Sequence, residues 1–248
     1  MAPLDTRHIK AQRQGSTTWT ILAALLGIVL VVSCACRIVP ETAPNIKVVK
    51  IDLKDGVTIK PALVSGKHQL FESAIDDLKP YAAINGTYYD EAMDPLGDIV
   101  IDGKLVNRGG QRHAIAITKN GDVEFIHRGQ SRFKWSGYQA GLAAGPRLIH
   151  KGKISLDPVA DGFKPSSLTV RAWRSGVGKT VDGKLLLVTA KEPLTLEEFA
   201  KVMLETGAVE AMNLDGGGAC ALYHDGKYLA TPTLPMTNLL VVYKQPDK

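Results

Sequence analysis

Four Asx-Gly dipeptides, each flanked by alternating or β-branched residues, constrain the fold of this 248-residue chain more than any other feature. Aspartate or asparagine followed by glycine readily adopts the positive φ angles that a two-residue hairpin requires. Because such turns join neighbouring antiparallel strands, the four dipeptides predict a largely antiparallel sheet. They begin at Asp102, Asn120, Asp182 and Asp225.

Eight apolar segments between turn signals are predicted as strands, and two other segments as helices. A capping box at Thr195 and Glu198 begins the stronger helix, and Gly207 is placed to end it. A weaker helix is predicted over residues 73–79. Since strands and helices do not alternate regularly, we expect an α+β fold with a largely antiparallel or mixed twisted sheet and few helices. The predicted strands are Lys47–Leu53, Tyr81–Asn85, Asp98–Ile101, Ala114–Thr118, Val123–Ile126, Leu185–Thr189, Ala211–Leu214 and Leu239–Tyr243.

Residues 1–37 differ from the rest of the chain in charge and hydropathy. They hold four basic residues against one acidic residue, and the run 19–36 is uncharged. A basic segment followed by an apolar one predicts export or membrane anchoring. Two alternatives stay open: a lipobox at Val31–Cys34 with lipid attached to Cys34, or a retained signal anchor. Both place the remaining chain on the periplasmic or extracellular face of a membrane.

The rest of the chain is predicted as a linker, residues 38–45, followed by one domain, residues 46–248. About 200 residues are enough to form a hydrophobic core without disulfides. Cys220 is the only cysteine beyond the leader, so no disulfide within the domain is expected. Most of the formal charge of +5 lies in the leader. A nearly neutral domain argues against nucleic acid as a partner.

Three consecutive glycines follow an apolar strand and an aspartate in the segment Asn213–Cys220. Consecutive glycines are entropically costly, which indicates that something approaches the backbone closely. Their amides can converge on an anion, and Asp215 would place a carboxylate in the same space. A plain glycine-rich turn is the alternative interpretation.

Three further segments carry polar residues at predicted strand ends or turns. In residues 81–90, Asn85 is suited to a sugar hydroxyl, and Tyr88 or Tyr89 to stacking on a sugar; a turn with core tyrosines is the alternative. Residues 144–149 form a Gly-Pro turn entering a strand. Residues 171–178 contain Arg174, and an arginine fork is the best bidentate partner for phosphate.

These four segments, in this order, resemble the phosphodiester glycosidase family. The family patterns NGGFF, AGPxLI, RTAIG and NLDGGGS correspond to Asn85–Tyr89, Ala144–Ile149, Arg174–Gly178 and Asn213–Ala219. The chain departs from them at a few positions. Thr87 replaces a glycine, Tyr88 and Tyr89 replace phenylalanines, and Ala219 replaces a serine.

The resemblance implies hydrolysis of a sugar-1-phosphodiester. Together with the predicted export, it leads us to expect an envelope or extracellular glycan as substrate. We expect Arg174 and the glycine amides to hold the phosphate. Asp215 would support an oxocarbenium-like centre or activate water. The expected catalytic residues are Asp215, Arg174 and Asn85; the expected substrate-binding residues are Gly216, Gly217, Gly218, Asn213, Gly86, Tyr88 and Arg147.

Other interpretations stay open at this stage. Asp90 or Asp98 could supply a second carboxylate. No histidine, cysteine and carboxylate group has metal-ligand spacing, so neither a metal nor a cofactor is predicted. A non-catalytic envelope protein that binds phosphorylated or cell-wall glycan is the main alternative, favoured by Ala219. A thiol hydrolase using Cys220 is a weaker one, because a small buried cysteine accounts better for that position.

Overall fold

The computed structural model describes residues 45–244, which form sixteen strands and two α-helices. The leader predicted over residues 1–37 lies outside the described residues. Neither α-helix in the described part is long and apolar enough to cross a membrane. The strands are β1 (Ile46–Asp52), β2 (Val57–Leu63), β3 (Ala82–Asn85), β4 (Ile99–Ile101), β5 (Lys104–Asn107), β6 (His113–Thr118), β7 (Val123–His127), β8 (Tyr138–Ala144), β9 (Arg147–His150), β10 (Lys153–Ile154), β11 (Ala172–Thr180), β12 (Lys184–Leu194), β13 (Ala208–Asn213), β14 (Leu222–His224), β15 (Lys227–Ala230) and β16 (Asn238–Lys244), and the helices are α1 (Phe71–Leu78) and α2 (Leu196–Glu205).

All four Asx-Gly dipeptides lie at hairpin turns, as predicted. They connect β4 to β5, β6 to β7, β11 to β12 and β14 to β15. In the first of these turns Asp102 has φ 50° and Gly103 has φ 74°. Positive φ at both central positions matches the twist of the flanking strands, which is why Asx-Gly is favoured there.

Within residues 45–244 the strands form three sheets, and every pair of neighbouring strands is antiparallel. The first sheet has the order β1-β12-β11-β13-β9-β10, the second β15-β14-β3-β16-β2, and the third β5-β4-β8-β6-β7. The α+β fold with antiparallel strands and few helices is therefore confirmed. The strands divide into three sheets, and none of the pairs is parallel.

The central core lies among the three sheets, and alternate side chains of the inner strands point into it. Leu185 and Leu187 of β12 belong to this core, whereas Leu186 and Val188 pack on the opposite face against α2. The side-chain period of two along a strand produces this division. Burial on both faces explains why β12 reads as a continuous apolar run instead of an alternating one.

Each α-helix covers the outer face of one sheet. In α2 the Thr195 hydroxyl accepts a hydrogen bond from the Glu198 amide at 3.2 Å, and the Glu198 carboxylate accepts one from the Thr195 amide at 2.8 Å. Gly207 follows the helix with φ 98°. The predicted capping box and C-terminal glycine are therefore confirmed. Helix α1 packs on the second sheet through Phe71 and Ile75.

Candidate active site

The glycine loop, residues 214–221, joins β13 to β14 at the place where the first two sheets meet. Its first residue, Leu214, donates its amide hydrogen to the carbonyl of Ser175 on β11 at 2.8 Å. The next amide, that of Asp215, donates to the carbonyl of Gly86, just after β3, at 3.1 Å. The loop is therefore held by strand ends from both sheets.

Asn85, the last residue of β3, holds the glycine loop at both ends. Its Nδ2 donates to the carbonyl of Asp215 at 2.8 Å, and its Oδ1 accepts from the amide of Ala221 at 3.1 Å. Asn85 is only 1% exposed. Its amide therefore positions the loop, and the expected hydrogen bond to a sugar hydroxyl is replaced by these two bonds to the main chain.

Gly86 allows the main chain to pass close to Asn238 at the start of β16. A Cβ atom at Gly86 would lie 1.9 Å from the Oδ1 of Asn238, which leaves no room for any side chain. That Oδ1 accepts a hydrogen bond from the amide of Thr87 at 2.7 Å. Gly86 therefore shapes the site through its backbone, in the way that a glycine at a close approach does.

Asp215 carries the only carboxylate in the glycine loop, and that group is largely buried. Burial raises the pKa of Asp215 to about 6, although a hydrogen bond from the Gly216 amide to its Oδ1 at 2.8 Å favours the ionised form. A carboxyl group with a pKa near neutrality can both give and accept a proton. Perturbed groups of this kind concentrate at functional sites.

Two main-chain amides of the glycine loop are available to an anion. Gly216 donates to Asp215, whereas the amides of Gly217 and Gly218 have no acceptor among residues 45–244. These two glycines are the first two residues of the short 3₁₀ helix Gly217–Ala219, and Gly217 has φ 57°. The sequence predicted three phosphate-binding amides; the structure leaves two.

Arg174 lies on β11 and is 8% exposed. Its Nε donates to the carbonyl of Leu194 at 2.9 Å, and its Nη2 donates to the carbonyl of Val170. No carboxylate within residues 45–244 forms an ion pair with it, and burial lowers its pKa. Since Nε and Nη2 are engaged and Nη1 has no hydrogen-bond acceptor within residues 45–244, at most this one nitrogen of the fork is left for an anion.

Tyr88 and Asn213 connect the glycine loop to the turn after β8. The Tyr88 hydroxyl donates to the carbonyl of Gly145 at 2.6 Å and accepts from the Nδ2 of Asn213 at 2.7 Å. Burial and the negative charge of Asp215 raise the pKa of Tyr88, while Asn213 and the positive charge of Arg174 lower it. Asp215 and Arg174 therefore both act on Tyr88 with opposite effects on its pKa, and within residues 45–244 they form no ion pair with each other.

A shallow cleft of about 900 Å³ opens beside the glycine loop. Tyr89 and Leu234 line it, and Leu234 lies so close to Gly218 that a Cβ there would be 2.7 Å from its Cγ. The hydroxyl of Tyr89 donates to the carbonyl of Pro235 at 2.7 Å, and burial together with Asp215 raises its pKa. Tyr89 therefore supplies the aromatic face at the cleft, whereas Tyr88 packs against Phe163.

Cys220 lies at the end of the glycine loop and is 0% exposed. Burial raises the pKa of its thiol to about 11. Because the thiolate is the nucleophilic form, such a thiol is inert at neutral pH. This environment supports the interpretation of Cys220 as a packing residue and disfavours the thiol hydrolase.

Arg147, expected to bind substrate, lines a separate cavity of about 220 Å³ together with His127 and Glu210. Its main-chain amide donates to the carboxylate of Asp161 at 3.0 Å, and its Nε is buried without a hydrogen-bond partner. None of its hydrogen bonds reaches Asp215. The structure therefore does not bring Arg147 into the candidate site.

The two other carboxylates considered from the sequence hold local structure. Asp98 is 4% exposed and accepts hydrogen bonds from the Gly109 amide and the Trp135 Nε1, both at 2.7 Å. Asp90 is exposed and accepts from the amides of Ala92 and Asp94 at 3.0 Å. Neither bonds to the glycine loop.

Sequence reasoning missed one cluster of chemically capable residues, formed by His113, His127 and Asp161. The three are distant in sequence, so no motif spacing signals them. His113 and His127 meet because they are register partners on β6 and β7. A two-residue turn at Asn120-Gly121 would set His113 opposite Arg128, so the histidine pair depends on the observed register, in which Ile117 lies opposite Val123.

A carboxylate of raised pKa, two available amides and a buried guanidinium together suit a reaction at a phosphorylated centre. The amides and the cation stabilise developing charge on a phosphate oxygen. The carboxylate can take a proton from water or stabilise a positively charged carbon. Binding a phosphate would need only the amides and the cation, whereas the carboxylate of raised pKa adds a group that hydrolysis can use.

Comparison with known proteins identifies relatives of the same fold. A sequence model of the phosphodiester glycosidase family matches residues 79–243. Mouse N-acetylglucosamine-1-phosphodiester alpha-N-acetylglucosaminidase is 24% identical over 198 residues, covering 71% of this chain but only 38% of the mouse protein. This chain therefore spans about two fifths of the length of that relative.

Two solved structures resemble the fold of the chain. The zebrafish N-acetylglucosamine-1-phosphodiester alpha-N-acetylglucosaminidase catalytic domain, auto-inhibited by its pro-peptide, has a TM-score of 0.64 and 20% identity, covering 83% of this chain and 85% of that one. A hypothetical protein from Synechocystis has a TM-score of 0.63 and 17% identity, covering 81% of this chain and 59% of that one. Both likenesses concern the fold.

Proposed function

The chain belongs to the phosphodiester glycosidase family, and we propose that it hydrolyses the bond between a sugar's anomeric carbon and a phosphodiester. One observation carries the proposal. Asp215, with a pKa raised to about 6, lies in the same loop as the two unpartnered amides of Gly217 and Gly218. The buried Arg174 has no carboxylate partner among residues 45–244 and supplies the cation that an anionic substrate needs.

In the proposed reaction, water attacks the anomeric carbon and the bond from that carbon to the phosphate oxygen breaks. The electron pair leaves with the oxygen, which yields a phosphomonoester and a free sugar. The amides of Gly217 and Gly218 and the Nη1 edge of Arg174 stabilise the phosphate charge. Asp215 takes the proton of the attacking water or stabilises the oxocarbenium-like centre; both uses need its ionised form.

The test is an assay of the full chain against a panel of sugar-1-phosphodiesters, beginning with N-acetylglucosamine-1-phosphodiesters. Asp215→Asn should lower kcat by about 10²–10⁴ with KM little changed, the range for a positioned acid or base. The kcat/KM of the parent should rise with pH through about 6, where Asp215 ionises. Asp122→Asn, at an exposed position, is the control. Near-parent turnover in folded Asp215→Asn would remove Asp215 from the mechanism.

A glycan-binding protein without catalysis is the second candidate. Ala219 stands where the family pattern has serine, and within the glycine loop it is 2% exposed. Loss of a hydroxyl there removes one polar group that could hold a phosphate. If the parent releases no sugar from any member of the panel but retains a sugar phosphate in a binding assay, this second function is favoured.

We also propose that the reaction takes place outside the cytoplasm, on an envelope or extracellular glycan, with the protein attached to a membrane through its leader. The basic start of the sequence and the uncharged run 19–36 support this location. A reporter fused after Lys248 should be active outside the cytoplasm only; activity confined to the cytoplasm would contradict export. Cys34→Ser should abolish lipid labelling if the lipobox is used, and labelling that persists would leave the signal anchor.

A further inference from the structure

His113, His127 and Asp161 bring three ligand atoms together outside the candidate active site. The Oδ1 of Asp161 lies 2.9 Å from the Nε2 of His113 and 3.6 Å from the Nε2 of His127. All three ligand atoms lie within 4.8 Å of one another. The two imidazole rings stack with centroids 4.3 Å apart and planes 18° apart, and the Nε2 atom of each lies beside the same carboxylate oxygen of Asp161.

We propose that these three residues bind one divalent transition-metal ion of the zinc type. Nitrogen and oxygen ligands lie about 2.0–2.2 Å from zinc, and tetrahedral angles then place neighbouring ligand atoms about 3.4 Å apart. The separations of 2.9 and 3.6 Å lie on either side of that value. Imidazole together with one carboxylate favours zinc, nickel or copper over calcium or magnesium.

The surroundings of the cluster support three protein ligands and one open position. His113 and Asp161 are each 5% exposed, which fixes them in place. The second oxygen of Asp161, Oδ2, accepts the amide of Arg147 at 3.0 Å, and such an outer hydrogen bond orients a ligating carboxylate. The cavity of about 220 Å³ lined by His113 and His127 gives a fourth ligand, water, access to the ion.

Fixed charges around the cavity are balanced. Arg112 and Arg147 place positive charge near His127 and oppose a cation. Asp161 ligates directly, and Glu210, which hydrogen-bonds to His150 across the same cavity, adds a second negative charge. The net charge of the cavity therefore neither excludes a divalent ion nor is enough to bind one. Binding depends on the geometry of the three ligand atoms.

The metal site is distinct from the site at Asp215. Gly145 lies between them: its carbonyl accepts the hydroxyl of Tyr88, while a Cβ built on it would be 3.8 Å from the Cβ of His113. The ion would tie β6 and β7 to the segment that carries Asp161. Its presence can thus be measured by binding and stability, independently of any sugar phosphodiester.

The experiment is a titration of the chelator-treated full chain with Zn²⁺ by calorimetry, and with Co²⁺ by visible absorption. We expect one saturable site per chain, a tetrahedral Co²⁺ spectrum and a higher Tm with Zn²⁺. His127→Ala should weaken that site more than about 100-fold, beyond the 10–100-fold effect of losing an outer partner. His127 is chosen because its side chain is 37% exposed, so its removal leaves the core intact.

His150→Ala is the matched control, since His150 lines the same cavity but bonds to Glu210 instead of Asp161. It should leave the affinity for Zn²⁺ within about twofold of the parent. The proposal is overturned if the parent shows no saturable site, if His127→Ala binds like the parent, or if His150→Ala weakens binding as much as His127→Ala does.

Discussion

Asp215→Asn should stabilise the folded protein at neutral pH while it removes catalysis. Burial raises the pKa of Asp215 from 3.8 to about 6, so the folded state disfavours the carboxylate relative to the unfolded chain. The difference between the two pKa values corresponds to about 3 kcal/mol. Asparagine keeps an Oδ1 that can accept the Gly216 amide, so the variant loses the charge without losing that acceptor.

The size of this stabilisation depends on pH. Below about pH 4 the carboxyl group is protonated in both states, and its burial carries no charge penalty. Between about pH 4 and pH 6 the unfolded state releases its proton first, so the penalty on the folded state grows. Above pH 6 it is complete. The gain from Asp215→Asn should therefore be up to about 3 kcal/mol at pH 7.5 and close to zero near pH 4.

Urea unfolding of the full chain and its variants at the two pH values measures this effect. For a domain of about 200 residues, 3 kcal/mol corresponds to roughly 6–12 °C in Tm. Asp122→Asn is the control, because that side chain is exposed and its free energy of unfolding should change by less than about 0.5 kcal/mol. A gain that is independent of pH, or a loss of stability at pH 7.5, would refute the argument that burial of the charge is responsible.

Three further substitutions test other parts of the site. Gly86→Ala should lower the free energy of unfolding by about 3 kcal/mol, because the new methyl group overlaps the side-chain amide of Asn238. Gly110→Ala is the control: nothing lies within 4 Å of its new methyl group, so it should be nearly neutral in the same urea assay. Equal effects of the two substitutions would contradict the close approach at Gly86. Arg174→Lys should lower kcat/KM by about 10²-fold, because a lysine cannot keep the hydrogen bonds to the carbonyls of Leu194 and Val170 and also donate to a phosphate. Kinetics like those of the parent would exclude Arg174 from phosphate binding. Cys220→Ala should lower the free energy of unfolding by about 1 kcal/mol and keep most activity, because the thiol is a buried packing group. Iodoacetamide should not inactivate the folded parent. A loss of kcat by several orders of magnitude in Cys220→Ala would instead indicate a thiol nucleophile.

Local signals predicted the hairpins and the stronger helix correctly, because turn type and helix capping depend on a few neighbouring residues. All eight predicted strands overlap observed ones, but eight other observed strands were not among the predicted ones. Two of these, β8 and β11, contain glycine, which weakens a strand pattern. The structure gives the reason: the ring of Trp135 lies on Gly141, and the ring of Phe199 lies 2.8 Å from where a Cβ of Gly176 would be. These glycines make room for partners that local patterns do not reveal.

Site residues could likewise be predicted from the sequence only where their roles depend on neighbouring residues in the chain. Asp215 could be located from the sequence because the strand, acid and glycines are contiguous. The role of Asn85 could not, since its hydrogen-bond partners are more than 100 residues away. The face of the sheet that each side chain occupies keeps Arg147 away from Asp215. It also brings His113 next to His127. Strand register decides this, and a one-residue change would reverse it.

The position of β3 between β14 and β16 has a consequence for the order of events during synthesis. Both neighbours of this strand are encoded more than 130 residues after Asn85, so β3 has no pairing partner until those residues have been synthesised. At translation rates of about 5–20 residues per second, its apolar segment waits roughly 7–30 s without its native neighbours. Pairing between distant strands also makes folding slow. The second sheet therefore reaches its full set of strands only after Asn238–Lys244 has been synthesised.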